Sequence, residues 1–320
     1  MHFFRMFLHP LDISLRLLRK STSYFGYNPR LCFRAACSMD VLESMKDAVI
    51  SRITRVATRQ SNILHLLHSS RSGDPDVSHA VFEVSPISGS RSLTRCKFGA
   101  VSQWALDLLL KEYETRRADE VPSFFDSISG MSEAASLWGH VYQRQVLNHL
   151  EDIPKEQDYQ IRGLTSPRRT TWSYRGPIRR FDFPHDSDFI NEITNAVQNR
   201  ERLHFVPLVR NFPSVHSIIY DPDDDVLTCV QITVSGTHDI LIKGLQRIQS
   251  LLKSGTPLGG LRPSTIRPWR LVFIVPPSGE AHFKSQPLKG DDAALDAWAG
   301  KVHQYVLGLD VTGKKTNCRD

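Results

Sequence analysis

Between Arg162 and Arg180 the chain carries six arginines, Arg162, Arg168, Arg169, Arg175, Arg179 and Arg180, with no acid among them and with Trp172 and Tyr174 interleaved. Guanidinium forks hold phosphate oxygens and aromatic faces stack on bases, so this composition suits contact with nucleic acid. The competing reading is a solvated strand edge, where positive charge discourages pairing with another chain. A second cluster, Arg262, Arg267, Trp269 and Arg270, either extends the same surface or forms an exposed loop with Trp269 packed inward.

Other chemistries fail on spacing. Gly308 to Lys315 approaches a phosphate-binding loop, but Lys315 stands where a magnesium-binding Ser or Thr is needed, and too few residues follow to form the helix. The 13 histidines include no H-E-x-x-H, and no G-x-S-x-G elbow accompanies them. Cys32, Cys37, Cys96, Cys229 and Cys318 are odd in number and lack a C-x-x-C pair, which argues against a disulfide framework or zinc cluster and favours a reducing, intracellular compartment.

The elements that would position these residues follow from periodicity. Asp40 to Glu43 resembles a capping box, and Leu42, Met45, Val49, Ile53, Val56, Ile63 and Leu67 draw one helical face up to a breaker at Ser69–Gly73. Val101, Trp104, Leu108 and Leu109 mark a second helix, followed by a linker with Pro122 and Gly130 and a boundary near residue 125. Ser132 caps a third, with Ala135, Trp138, Val141, Tyr142, Val146 and Leu150 on its apolar face. Extended segments are expected at Ala80–Val84, Tyr159–Leu164, Thr171–Tyr174 and Leu203–Leu208. Val215–Tyr220 and Val226–Val234 bracket the turn sequence Asp221 to Asp225 and predict a hairpin. A helix capped by Thr237 and running to Leu252, a buried strand Leu271–Val275 and a last helix through Leu295, Trp298, Val302 and Tyr305 complete an α/β fold around a mixed sheet.

That order, with the strings ASLWGHVYQRQVLNHL (135–150), NFPSVHSIIY (211–220), VQITVSGTHDILIKGL (230–245) and LVFIVP (271–276), resembles the fungal Crinkler-type and retrotransposon-hot-spot-type proteins, whose C-terminal part is a restriction-endonuclease-like PD-(D/E)XK domain. The resemblance covers roughly residues 130–310. It implies a core of α-β-β-hairpin-α-β order preceded by a mainly helical N-terminal region. It also implies a metal-dependent nuclease site in which a helix supplies Glu, a hairpin strand supplies Asp, and the next strand supplies Glu or Gln with Lys two residues on. There carboxylates gather magnesium or manganese, and the cation polarises the phosphate and activates water.

Carried onto this chain, the pattern places Gln143 at the helix position, His216 at the Asp position, and Gln231 and Thr233 at the final pair. His238 and Lys243 follow, and Lys243 either takes over a phosphate-facing role or is a solvated helix residue. Neutral amides and an imidazole hold magnesium poorly, because its sites use hard oxygen ligands and at least one carboxylate. The resemblance therefore implies a degenerate nuclease-like protein, impaired in catalysis, with no cofactor. Its expected role is binding DNA or RNA through Arg168, Arg169, Arg175, Arg179 and Arg180, or binding a protein partner through the helix 40–67. The enzyme alternative is an active nuclease with magnesium or manganese and a rearranged site in which His216 is ligand or base. A third possibility is an interaction module on an inert scaffold.

The chain of 320 residues has a formal charge of +6, and no apolar run reaches the length of a membrane span, which excludes integral membrane insertion by a helix. Residues 1–39 carry a net +5, leaving +1 for the rest. This N-terminal stretch, poor in acids and rich in Arg, Leu and aromatics, reads as a mitochondrial-type presequence or a poorly ordered extension whose loss would spare binding. The expected organisation is this extension, a helical region 40–125, a nuclease-like domain 126–312 and a tail 313–320.

Overall fold

The computed structural model describes residues 13–26, 28–59, 81–86, 96–116, 121–129, 131, 134–151, 156–166, 168–174, 178–183, 185–207, 212–224 and 226–311. Two compact units emerge, residues 1–141 with 312–320, and residues 142–311.

The first unit is mainly helical. Helices α1 (Leu15–Phe25), α2 (Pro29–Ala35) and α3 (Met39–Arg59) precede an antiparallel pair, β1 (Phe82–Pro86) and β2 (Cys96–Ala100), then α4 (Gln103–Arg116), α5 (Val121–Ser129) and the start of α6 (Ala135–Glu151). From Leu15 onward, the stretch expected as an extension is part of this unit. Ser14 Oγ accepts from the Leu17 N–H at 3.3 Å and Asn28 Oδ1 from the Leu31 N–H at 3.2 Å, so both short helices begin on side-chain caps. Their apolar sides are spent on packing, with Phe25, Cys32, Ala35 and Leu42 forming a buried cluster. The α3 stripe packs inside the same unit through Leu42 and Ile53, with Met45 and Val49 partly covered, while Ile63 and Leu67 lie outside the described residues. The linker expected around Pro122 is helical as α5.

The second unit is built on an eight-stranded sheet. After α6 come β3 (Gln157–Gly163), β4 (Arg169–Tyr174), β5 (Arg179–Phe183), α7 (Asp186–Asn199), β6 (Leu203–Pro207), β7 (Ser217–Tyr220), β8 (Leu227–Ile232), β9 (Ile240–Leu241), α8 (Ile242–Leu251), a 3-10 turn (Pro257–Leu261), β10 (Trp269–Val275), α9 (Pro277–Glu280), β11 (Leu288–Lys289), α10 (Asp292–Trp298) and β12 (Val302–Gly308). The strand order is β4-β3-β12-β10-β8-β7-β6-β5. The expected hairpin is present as β7 and β8, Tyr220 opposite Leu227, and β10 and β12 continue parallel to β8.

Three expectations change. Helix α7 was not foreseen, although Phe189, Ile193 and Ala196 stand at helical spacing and are buried. Residues 237–239 have no regular structure and Ile240–Leu241 pair with β11 as β9, so α8 starts at Ile242. Val302 and Tyr305 belong to a strand: the helix stops at Trp298, Gly300 takes a positive φ, and β12 pairs with β10 along its whole length.

The sheet is curled. A flat sheet of eight strands would separate β4 from β5 by roughly 34 Å at about 4.8 Å per strand. Yet only residues 175–178 join these two edges, a reach of roughly 18 Å at full extension. The curl wraps the part of α6 within this unit. His149 Nε2 lies 3.0 Å from Tyr159 Oη on β3, while two residues later Glu151 meets Arg180 of β5 at 3.1 Å. Alternation places Tyr159, Trp172, Tyr174, Arg180, His204, Thr228 and Val230 on this α6 face. The opposite face carries the larger core, Leu203, Phe205, Ile218, Cys229, Leu271 and Phe273 against α7, α8 and Trp298 of α10.

If α1 and α2 belong to the fold, Phe25→Ala should destabilise the protein by about 3–5 kcal/mol, the usual cost of emptying a buried phenylalanine site. Urea denaturation followed by circular dichroism measures it, and an unchanged midpoint would return residues 1–39 to the status of a loose extension.

Candidate functional site at the base of the hairpin

The open end of the β7–β8 hairpin brings together three of the five positions singled out in the sequence. The His216 N–H donates to Val230 O at 2.8 Å, and His216 Nδ1 accepts the Ile232 N–H at 2.9 Å. Gln231 is buried and its Nε2 lies 3.0 Å from His238 Nε2. Thr233 Oγ1 accepts the Ser235 N–H at 3.0 Å.

Two glutamines that local sequence patterns did not reveal extend this network. The His238 N–H donates to Gln286 Oε1 at 2.6 Å, and the backbone of Gln286 exchanges two hydrogen bonds of 2.8 Å with the Gln304 side chain. Gln286 and Gln304 are buried, 48 and 66 positions beyond His238. No local signal marked either, since the stretch holding Gln304 reads as helix in the sequence and becomes strand β12 in the fold.

Gln143 does not join them. It lies half-buried on α6 and its side chain makes no hydrogen bond among the described residues. Its helix packs on the sheet face opposite to that carrying Gln231, since Gln231 alternates with Val230 and Thr228. Lys243 is exposed in the first turn of α8.

The network fixes the chemistry of His216. Its Nδ1 lone pair is committed to a backbone N–H, so the neutral ring carries its proton on Nε2. Acting as a base or as a metal ligand would require breaking that bond or shifting the proton. Gln231 offers a neutral amide already engaged by His238, whose imidazole burial pushes down, opposed by the field of Asp239. These donors do not fit a divalent cation that demands carboxylate oxygens. Among the described residues no group of three His, Cys, Asp or Glu could hold a metal ion. The acids at the hairpin tip serve the turn instead. Asp221 accepts the Asp223 N–H at 3.0 Å and pairs with Arg202 at 3.0 Å, Asp223 also pairs with Arg202, and Asp224 meets Arg270 at 2.5 Å.

The arginine run that lacks acids in sequence acquires them in space. Arg169 meets Glu280 at 3.0 Å, Arg179 pairs with Glu192, and Arg180 meets Asp182 at 2.7 Å and Glu151 at 3.1 Å. Arg162 donates to the carbonyls of Glu280 and Phe283. Arg168 is exposed with no ion pair among the described residues, and Arg175 lies outside them. In the second cluster, Arg262 donates to Gln249 O and Leu252 O at the end of α8, and Trp269 is buried with its Nε1–H on Leu261 O at 2.8 Å.

On the α6 face, His204 is buried and neither ring nitrogen has a hydrogen-bond partner among the described residues. Burial, with the Arg180 guanidinium nearby, pushes its imidazole down to about 3. Cys32, Cys37 and Cys229 are free thiols, and complete burial pushes Cys229 up to about 12, which makes it unreactive.

A scan against family models, a search of curated proteins and a search of solved structures each return no match for this chain.

Two outcomes follow. Gln304→Leu should cost about 2–4 kcal/mol in urea denaturation, because it strips partners from the buried Gln286 N–H and C=O at roughly 1–3 kcal/mol each; a loss below about 1 kcal/mol would show the network to be incidental. His204 stays neutral in the folded state while the unfolded ring titrates near 6.5. Its contribution is therefore complete above pH 6.5 and declines as pH falls toward 3, by at most about 1.4 kcal/mol per pH unit. Stability measured from pH 7 to pH 4 should fall more steeply for the wild type than for His204→Phe, and coincident curves would contradict the buried neutral ring.

Proposed function

We propose that the second unit is a nuclease-fold derivative that binds nucleic acid without cleaving it. Its central order, α7-β6-β7-β8-α8-β10, is a helix, an antiparallel three-strand meander and a helical crossover to a parallel strand. This order supports a likeness to the restriction-endonuclease-like core only with α7 as its first helix, in place of the helix 135–150 that the sequence strings suggested. The observation that carries the reading is His216 Nδ1 held by the Ile232 N–H beside a Gln231 held by His238. Where relatives of the Crinkler and retrotransposon-hot-spot type would place carboxylates and a cation, this chain places a neutral network satisfied by its own partners.

Binding would use the arginines of the β4 and β5 edges, Arg168 first, with the exposed Arg169 and Arg179 exchanging carboxylates for phosphates, whereas Arg180 faces α6 and stays with Glu151 and Asp182. Exposed ion pairs are worth about 0–1 kcal/mol, so a phosphate backbone can compete for the same guanidinium groups. Arg175 belongs to the same segment of sequence.

The test is cleavage of plasmid DNA and of RNA by the full chain with magnesium or manganese. Wild type and His216→Ala should be equally inactive. Metal-dependent cleavage abolished by His216→Ala would overturn the reading in favour of a rearranged active site.

A further inference from the structure

We propose that the α1–α2 pair forms a second phosphate-binding surface, and that it contributes more to nucleic-acid affinity than the β4–β5 arginines. Arg16, Arg19 and Lys20 stand at spacings of three and four along α1, and Arg30 and Arg34 at a spacing of four along α2. Residues so spaced share one side of a helix. All five are exposed, and none has an ion pair among the described residues. This is the reverse of the β4–β5 segment, where three of the four described candidates already hold carboxylates.

Among the described residues no acid of the same unit lies within ion-pair distance of these five cations. Glu43 of α3 is bonded to Lys46 at 2.6 Å, and its carboxyl is held below the usual range by that bond, with a smaller effect from the field of Lys20. Asp40 and Asp47 lie on α3, and α1 and α2 themselves contain no acid.

Basic amphipathic helices also settle on anionic membranes, but they do so by burying their apolar face in lipid. Here that face is taken: Phe25 and Cys32 are buried, and Leu17, Leu18, Tyr24 and Leu31 pack against their cluster. Leu15 is the one leucine of α1 left exposed. Four of the five cations are arginines, whose fork matches phosphate oxygens. A phosphate backbone is therefore the occupant that the surface fits. The inference rests on the reading above only for the class of partner, and the metal-dependent cleavage assay tests that reading independently.

The experiment is fluorescence anisotropy of labelled single- and double-stranded 25-mers of DNA and RNA with the full chain across a salt series. The variants are Arg16→Gln/Arg19→Gln/Arg30→Gln/Arg34→Gln together and Arg168→Ala alone. All these positions are exposed, and circular dichroism checks that the fold persists. The quadruple variant should lower the steepness of the log affinity against log salt plot by roughly 3–4 on duplex, about 0.9 per lost contact. Arg168→Ala should lower it by at most about 1. Equal affinity and slope for the quadruple variant and wild type would overturn the proposal. So would a wild type that binds no nucleic acid, or one that binds only phosphatidylserine vesicles and loses them in the quadruple variant.

Discussion

The second unit depends on one short piece of chain. Residues 175–178 join strands at opposite ends of an eight-stranded sheet, and a connection of that length closes only if the sheet curls until its edges approach. The α6 segment from Tyr142 to Glu151 fills the curl. It is fixed at one end by Tyr142 Oη donating to Leu309 O at 2.9 Å, and at the other by Glu151 meeting Arg180. The aromatic row Tyr159, Trp172 and Tyr174 lines the same face, with ring centroids 5.9 and 5.8 Å apart along it.

This closure explains why the arginine run is not an open basic surface. The edges that come together carry Arg169, Arg179 and Arg180, and the acids they meet come from α6, α7, α9 and β5 itself. Such pairs add little stability at the surface, but they neutralise charge that would otherwise repel across the seam. Arg162 goes further and serves as a buried-side tie to two backbone carbonyls. A local excess of one charge in sequence therefore says little about the field at that place in the fold.

Much of the architecture was legible in the residues, for identifiable reasons. The hairpin of β7 and β8 was marked by two β-branched runs around Asp221 to Asp225, and β10 by its continuous apolar run. Helix α7 escaped because its apolar residues, Phe189, Ile193 and Ala196, are diluted by Asp, Asn and Glu, although their spacing was helical. Strand β12 escaped because Leu295, Trp298, Val302 and Tyr305 also fit a helical period; Gly300 at positive φ ends that period, and pairing with β10 decides for strand. Helices α1 and α2 were hidden by composition, since an Arg-rich, acid-poor stretch was read as a type of segment, while the caps Ser14 and Asn28 with Pro29 were present in plain view. At the candidate site, His216 and Gln231 could be placed from the hairpin alone. Gln286 and Gln304 could not, because their role is created by tertiary contacts far along the chain.

The chemistry of the site follows from how far the hairpin is zipped. His216 lies one residue before β7, yet its backbone N–H and its ring both bond to β8, at Val230 O and the Ile232 N–H. A carboxylate at the same position could also accept that N–H, but two or three carboxylates gathered there without a cation would repel each other in a partly buried setting. Neutral Gln231 and a neutral ring at 216 remove that repulsion, and the Gln231–His238–Gln286–Gln304 chain continues it into the core with each member paired. A fully satisfied buried network is rigid and specific, whereas a partly satisfied one is costly. The same bonds that make this end of the sheet stable commit the His216 Nδ1 lone pair and the Gln231 amide nitrogen, so recruiting either group to new chemistry would first cost the network a bond.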